Sequence, residues 1–344
     1  MKQLLCAHSF PKTIERALQN AFADYTVCTP QECDLSTPNG RILLAAHLQS
    51  HSYDPALLRW IEDCGLFPPG TRMGVFVYSP TALHTREAGV QLLYHANKAG
   101  ARMPGRSLVE AAKNLDNLTP LSAPLHKSPA EILQDQLNSL ARRLEQEIVR
   151  KENPRLSVWT IGKPDASATL SIWDLIRPHL SGIQIDLLSF GNENIRDCRG
   201  CAYELCKKMG EASRCIYEDY VVEKLYPSIE AADGILILTP NYNDMLPANF
   251  VSAINRMTAL FRKRKFFDKN LYSLIVTGHS GAELLSRQLI SALHINKTFA
   301  LPPHFTWEVR AHNVQSVKEN PALPAQAQIF AETIVESLKA PTAQ

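Results

Sequence analysis

Residues able to do chemistry concentrate in the second half of the chain. Four thiols, Cys198-x2-Cys201-x4-Cys206-x8-Cys215, stand within one short segment, and thiolates bind zinc and iron–sulfur clusters. The same cysteines suit a structural loop, a dimer contact or redox-sensitive thiols. Upstream, an apolar run Leu156 to Ile161 feeds the polar loop Gly162 to Ser171 and then a helical pattern through Trp173, Leu175 and Ile176. A strand passing through a polar loop into a helix start makes an anion site, because free backbone N–H groups and the helix dipole favour negative charge. Ser167, Thr169 and Ser171 are the candidate phosphate-binding hydroxyls, with Lys163 as a counter-charge. The same hydroxyls also suit a helix cap. Two further polar loops, Thr239 to Met245 and Thr277 to Glu283, each follow an apolar run.

Those loops need a scaffold that brings them together. Ile235-Leu236-Ile237-Leu238, bounded by Asp233-Gly234 and Thr239-Pro240-Asn241, has the length and composition of a strand buried in a parallel sheet. Helical spacing returns at Phe250, Ile254 and Met257, and Leu274-Ile275-Val276 is a further strand. The first half alternates in the same way. Strands are expected at 2–6, 42–46 and 73–78, with helices through Ile14–Phe22, Leu57–Ile61 and Thr85–Lys98. Such alternation argues for α/β architecture with a parallel sheet and covering helices.

The halves also repeat. An offset of 193 carries Ile42–Cys64 onto Ile235–Met257, and an offset of 199 carries Gly74–Pro104 onto Ser273–Pro303. Two tandem copies of one unit explain the length. Each closes with an amphipathic helix, at 129–151 and at 326–338, and Ser128 with Pro129 forms the expected start of the first. The expected domains are 1–152 and 153–344, with the cysteine-rich insertion 198–215 in the second. In the first copy Ala46-His47-Leu48-Gln49 stands where the second has Thr239-Pro240-Asn241-Tyr242, and Ser79 and Ala82 stand where the second has Gly278 and Gly281. The first copy is therefore expected to be degenerate, with His47, His51 and Tyr53 on a surface loop or reaching the other copy's pocket.

The pattern Ala232, Asp233, Gly234, strand, Thr239, Pro240, Tyr242, Met245, then Asn255-Arg256 resembles the flavodoxin-like NAD(P)H-dependent FMN oxidoreductases, including iron–sulfur flavoproteins. The resemblance implies two flavodoxin-like doubly wound parallel-sheet domains, with FMN bound by three loops of the second. It places Thr239, Pro240, Asn241, Tyr242, Asn243 and Met245 along the ribityl chain and ring edge. Gly278, His279, Ser280 and Gly281 then lie against the ring, where His279 and Ser280 could donate to its pyrimidine edge. The first loop departs from the family form: it is shorter and lacks the usual arginine. The cysteine run stands where iron–sulfur flavoproteins hold a [4Fe-4S] cluster, at a wider spacing than theirs. Absence of a separate Gly-x-Gly-x-x-Gly fingerprint favours FMN over FAD.

With NAD(P)H as co-substrate, the implied activity is electron transfer through flavin to a small acceptor: a quinone, an azo or nitro compound, or free flavin. The alternatives are an iron–sulfur flavoprotein electron carrier, working with an electron-carrier protein, and a non-catalytic interaction or sensor protein. No nucleophile–base pair stands out, and hydride transfer needs none. A homodimer is compatible with the family, whose flavin sites often lie at subunit interfaces.

Composition sets outer bounds. The 344 residues are 45% apolar and 20% charged, with a formal net charge of +2. That suits an ordinary globular protein and gives no reason for a nucleic-acid or anionic-membrane partner. Arg262-Lys263-Arg264-Lys265 is read as a solvated turn. No apolar run approaches the ~20 residues of a membrane span. The start of the chain lacks signal-peptide character, and eight cysteines in a chain this long fit reduced thiols in a cytoplasmic protein better than a disulfide scaffold.

Overall fold

The structure is a computed structural model describing residues 1–49, 52–81, 83–163 and 166–340. The chain forms two compact units, Met1–Glu147 and Ile148–Gln344. The first holds strands β1 (Lys2–Cys6), β2 (Thr26–Cys28), β3 (Arg41–His47), β4 (Arg72–Ser79) and β5 (Leu108–Ala112), in the order β2-β1-β3-β4-β5. The second holds β6 (Arg155–Thr160), β7 (Gln184–Ser189), β8 (Gly234–Pro240), β9 (Asn270–Thr277) and β10 (Thr306–Arg310), in the order β10-β9-β8-β6-β7. Every named pairing is parallel. Counted from β7, the second sheet repeats the first: second, first, third, fourth, fifth. That is the flavodoxin-like strand order, so the expected α/β fold of two doubly wound parallel sheets is present.

Central strands follow from their composition. Ile235, Leu236, Ile237 and Leu238 are all fully buried, as are Val75, Phe76 and Val77 in β4. Strands covered on both faces need continuous apolar runs, and burying each such side chain stabilises the fold by roughly 1.5–3 kcal/mol. The edge strands β2, β5, β7 and β10 are absent from the periodicity reading. β2 has three residues, and β7 is largely open to solvent, with Asp186 among its residues. β10 carries Glu308 and Arg310. Edges tolerate short, polar strands, which leave little pattern to read.

Sheet register refines the repeat. The offset of 193 carries both ends of β3 onto the ends of β8, and Pro55, first in its helix, onto Ala248, first in its own. For the next strand, Ile42 pairs with Met73 and Ile235 with Leu271, so equivalent residues stand 271 − 73 = 198 apart. The offset of 199 is therefore one too large; it followed from aligning Pro104 with Pro303. A shared buried contact confirms the smaller value. Met73 N donates to the Arg102 carbonyl (2.9 Å), and the equivalent Leu271 N donates to the Ala300 carbonyl (2.9 Å).

The closing helices run Pro129–Glu145 and Leu323–Leu338. Ser128 and Glu131 form a capping box at the first. That helix stops six residues short of 151. Arg72 Nη1 donates to the carbonyls of Leu144 (3.1 Å) and Gln146 (2.5 Å), and Gln146 turns extended. Ile148, inside the expected helix 129–151, belongs instead to the second unit.

The units differ between their second and third strands. Residues 29–40 contain no helix, whereas 190–233 hold the helices Tyr203–Glu211 and Tyr226–Ala231 and a π-helical turn at Val221–Leu225. Among the described residues no helix is long and apolar enough to cross a membrane.

Leu140 is fully buried and lies over Gly74 of β4, where an added Cβ would come within 3.1 Å of it. Leu140→Ala should cost about 2–5 kcal/mol, read as a lower urea midpoint for the first unit by near-UV circular dichroism. An unmoved midpoint would contradict this packing.

Candidate functional site

Parallel strands place the loops after β6, β8 and β9 on one edge of the second sheet, with β6 and β8 adjacent. The crevice beyond the carboxyl ends, where strand order reverses, is where such sheets bind ligands.

The first loop begins at Thr160, 4% exposed, whose Oγ1 is buried with no hydrogen-bond partner among the described residues. Gly162 follows with φ 120°. Gly191 lies against it: a Cβ there would stand 3.2 Å from the Gly162 nitrogen. Ser167 caps the helix Ala168–Ile176 by accepting from Leu170 N (3.3 Å), and Ser171 Oγ donates to the Ser167 carbonyl (3.1 Å). Two of the three expected phosphate hydroxyls thus serve the helix, while Thr169 is buried. Lys163 is exposed. The orphaned Thr160 hydroxyl beside a glycine-lined loop and a helix start fits an anionic group.

The second loop is a tight turn. Tyr242 and Met245 exchange backbone hydrogen bonds (3.4 and 3.1 Å). Asn243 and Asp244 both have positive φ, 53° and 61°, the geometry of a type I′ turn that Asn and Asp tolerate. Tyr242 is 53% exposed and Met245 61%. Thr239 points inward, buried, its Oγ1 donating to the Pro240 carbonyl.

Asn241 joins this loop to the third. Its Nδ2 donates to Asp244 Oδ1 (3.0 Å) and the Ser280 carbonyl (3.2 Å), and its Oδ1 accepts from Asp244 N (2.8 Å). Thr277 Oγ1 also donates to the Ser280 carbonyl (2.8 Å). Gly281, at φ 87°, starts the helix Ala282–Leu289, and a Cβ there would meet Asp244 Oδ1 at 2.2 Å. Its close approach is to the second loop. Gly278 faces His312, which packs edge-on with His279 at 5.2 Å. His279 and Ser280 are exposed. Two amides brace the assembly from helices: Gln288 Nε2 donates to the Asp244 carbonyl, and Asn249 Nδ2 to the carbonyls of Phe190 (2.7 Å) and Glu193 (3.0 Å).

Pattern reading missed Thr160, Asp244, Asn249 and Gln288. Thr160 takes its meaning from burial, and the others act through tertiary contacts.

In the first unit, aromatic side chains crowd the equivalent edge. Phe10 stacks on His47 at 5.5 Å, His47 meets Tyr78 edge-on at 5.0 Å, and His47 Nδ1 lies 2.7 Å from the Ser9 carbonyl. Tyr53 is exposed. His51 and Ala82 lie outside the described residues.

A second feature lies at the cysteines. Cys198, Cys201, Cys206 and Cys215 all line one pocket of about 390 Å³, part of it open to solvent, together with Met209, Tyr217 and Arg256. Among the described residues no three His, Cys, Asp or Glu side chains are gathered to hold a metal ion. Burial opposes the charge of Arg256, but Asp219, 2.6 Å away, and the Cys215 sulfur hold its pKa above the ordinary value.

Residues 158–311 match the family model described as NADPH-dependent FMN reductase. That stretch lies within the second unit and makes up less than half of the chain. The match spans all three loops and the cysteine segment of that unit. An iron–sulfur flavoprotein from Methanosarcina thermophila is 28% identical over 89 residues, 26% of this chain and 43% of that protein, so the aligned part is less than half of the relative's length. Among solved structures, RosB with bound 8-demethyl-8-formylriboflavin-5′-phosphate overlays at TM-score 0.43 and 15% identity, covering 54% of this chain and 78% of that one. An NAD(P)H:quinone oxidoreductase from Methanothermobacter marburgensis overlays at TM-score 0.40 and 13% identity, covering 53% and 99%. The fold assignment itself rests on the strand order.

In the second unit, Gly281→Ala would force a side chain into the left-handed region, at about 1–2 kcal/mol, and displace Asp244 from Asn241. Hydrogen exchange should quicken across 241–246, and the second unit's denaturation midpoint should fall. Unchanged exchange and midpoint would contradict the direct packing of the two loops.

Proposed function

We propose that the chain is an FMN-dependent NAD(P)H oxidoreductase whose second unit carries the flavin. One observation carries this reading: the FMN reductase match covers the three loops that the sheet gathers on one edge. When bound, FMN would accept hydride from the nicotinamide and pass electrons to a small acceptor such as a quinone, an azo or nitro compound, or free flavin.

The chain's own groups have distinct tasks. The N–H groups at the start of the helix Ala168–Ile176 and the free Thr160 hydroxyl would hold the phosphate. Ser167 and Ser171 fix that helix start rather than grip the ligand. Asn241 and Gly281 lock the second loop to the third, so Pro240, Tyr242, Asn243 and Met245 present one rigid edge along the flavin. Exposed Tyr242 and Met245 would border the acceptor. His279 and Ser280, exposed beside the same edge, would donate to the pyrimidine end of the ring, where reduction places negative charge. This economy suits a site whose chemistry belongs to the cofactor.

A second reading is supported by the pocket that all four cysteines line: an iron–sulfur flavoprotein that hands electrons to a carrier protein. Such a cluster takes thiolate donors, and Cys198, Cys201, Cys206 and Cys215 would have to draw together to hold it, since no three such side chains are gathered among the described residues.

Anaerobically purified protein should show oxidised flavin bands that bleach on adding NADPH. Thr160→Val should keep its fold yet bind FMN about 10-fold more weakly, the loss of one hydrogen bond to a charged group. A colourless protein that binds no added FMN would overturn the proposal; full affinity in Thr160→Val would overturn the role of that hydroxyl.

A further inference from the structure

Two thiols of the first unit are held side by side. Cys28 ends β2 and is buried, and Cys33, half-buried, follows across one turn. That turn is Thr29-Pro30-Gln31-Glu32. Glu32 N donates to the Thr29 carbonyl (3.1 Å), and Thr29 N and Oγ1 both donate to Glu32 Oε2 (3.0 and 2.9 Å). Proline at the second position of such a turn pre-sets its backbone. Gln3 of β1 ties the two sides of the turn together. Its Oε1 accepts from Asp34 N (2.8 Å), and its Nε2 donates to the Asp34 carbonyl (2.6 Å), so the residue after Cys33 is gripped twice. The Cys28 sulfur donates to the same Oε1 (3.8 Å). Gln3 is itself buried and pairs with Thr26 of β2 in the sheet.

The two side chains also meet each other. The Cys33 thiol donates to the Cys28 sulfur, and this contact holds the Cys28 pKa below its ordinary value against the opposing effect of burial. A donor to the thiolate favours the charged form, which suits Cys28 to act as the resolving nucleophile. Cys64, last in the helix Pro55–Cys64, reaches Cys33 through its charge, and burial pushes its own thiol up to about 11. Two thiols in contact, with no third ligand gathered beside them among the described residues, are the makings of a disulfide rather than of a metal site. Sulfurs already in contact across a fixed turn can close without the backbone movement that distant cysteines need.

We propose that Cys28 and Cys33 form a redox-active dithiol that exchanges with low-molecular-weight disulfides. Cys33 is the more accessible sulfur and meets the external disulfide first. It bonds to one sulfur of that disulfide, whose S–S bond breaks, and the other half leaves as thiolate and takes up the Cys33 proton. The Cys28 sulfur then attacks the Cys33 sulfur. The internal S–S bond forms, and the second half is expelled as thiolate and takes up the Cys28 proton. The external disulfide is thus reduced to two thiols while the protein pair is oxidised, and excess thiol reverses both steps. Gln3 positions the pair by holding the turn against β1. The inference concerns the first unit alone and is independent of the flavin reading.

The test uses the full chain, fully reduced, then equilibrated with oxidised and reduced glutathione in graded ratios, quenched with acid and mapped by mass spectrometry. Cleavage after Arg16 and Arg41 isolates residues 17–41, which carry Cys28 and Cys33 and no other cysteine. As the oxidised fraction rises, this peptide should lose the mass of two hydrogens, and dithiothreitol should restore it. Cys28→Ser should abolish that loss and leave one glutathione on Cys33, because the resolving thiol is gone. Cys33→Ser should leave the buried Cys28 unmodified, and it decides the matter if Cys28→Ser does not fold. A Cys33 that stays reduced in excess oxidised glutathione would overturn the proposal. So would a Cys33 that stops at the glutathione adduct in the unmodified protein, or one that links to Cys64 instead.

Discussion

Parallel pairing is the constraint from which the site follows. β6, β8 and β9 run side by side in one direction, so their carboxyl ends cannot be on opposite edges of the sheet. Each strand must return by a crossover, and each crossover begins with a loop on that one edge. Three stretches separated by up to about a hundred residues of chain thereby become neighbours. The fully buried apolar runs of β8 and β9 hold this arrangement, and the loops inherit their positions from it.

Within that frame, polar contacts make the edge rigid. Asn241 spends its amide on the turn and on the third loop at once, and Gly281 gives Asp244 room to complete the bracket. The first unit has the same strand order and a different edge. Phe10, His47 and Tyr78 pack together where the second unit has open loops. One duplicated skeleton thus carries two differently furnished edges, the first with packed aromatic side chains and the second with polar loops.

The sequence revealed the central strands because complete burial demands unbroken apolar runs such as Ile235–Leu238. It revealed the duplication because β3 and β8 keep both length and spacing to the following helix. Edge strands were hidden: Thr26–Cys28 is too short for periodicity to register, and Gln184–Ser189 faces solvent too widely. The three loops were legible as loops, yet the roles of their residues were not. Ser167 and Ser171 look like phosphate ligands in a string of hydroxyls, and only the folded helix start shows them occupied in capping and back-bonding. Thr160 acquires meaning from burial, which no local pattern encodes. Arg256 was visible as part of a motif, but its partners at 196, 217 and 219 lie about forty to sixty residues away in sequence.

The helix Ala248–Lys263 links the two features of the second unit. Asn249 holds the 190–193 loop beside the edge proposed for flavin, and Arg256, two turns on and about 10 Å along the axis, holds the cysteine segment. The central claim is that one crevice per chain is built for FMN and the other is filled. Stoichiometric titration of flavin-free full-length protein with FMN, followed by flavin fluorescence, measures this directly. The account predicts saturation at one FMN per chain. Two FMN per chain would contradict the filled first crevice, and no binding would contradict the flavin site itself.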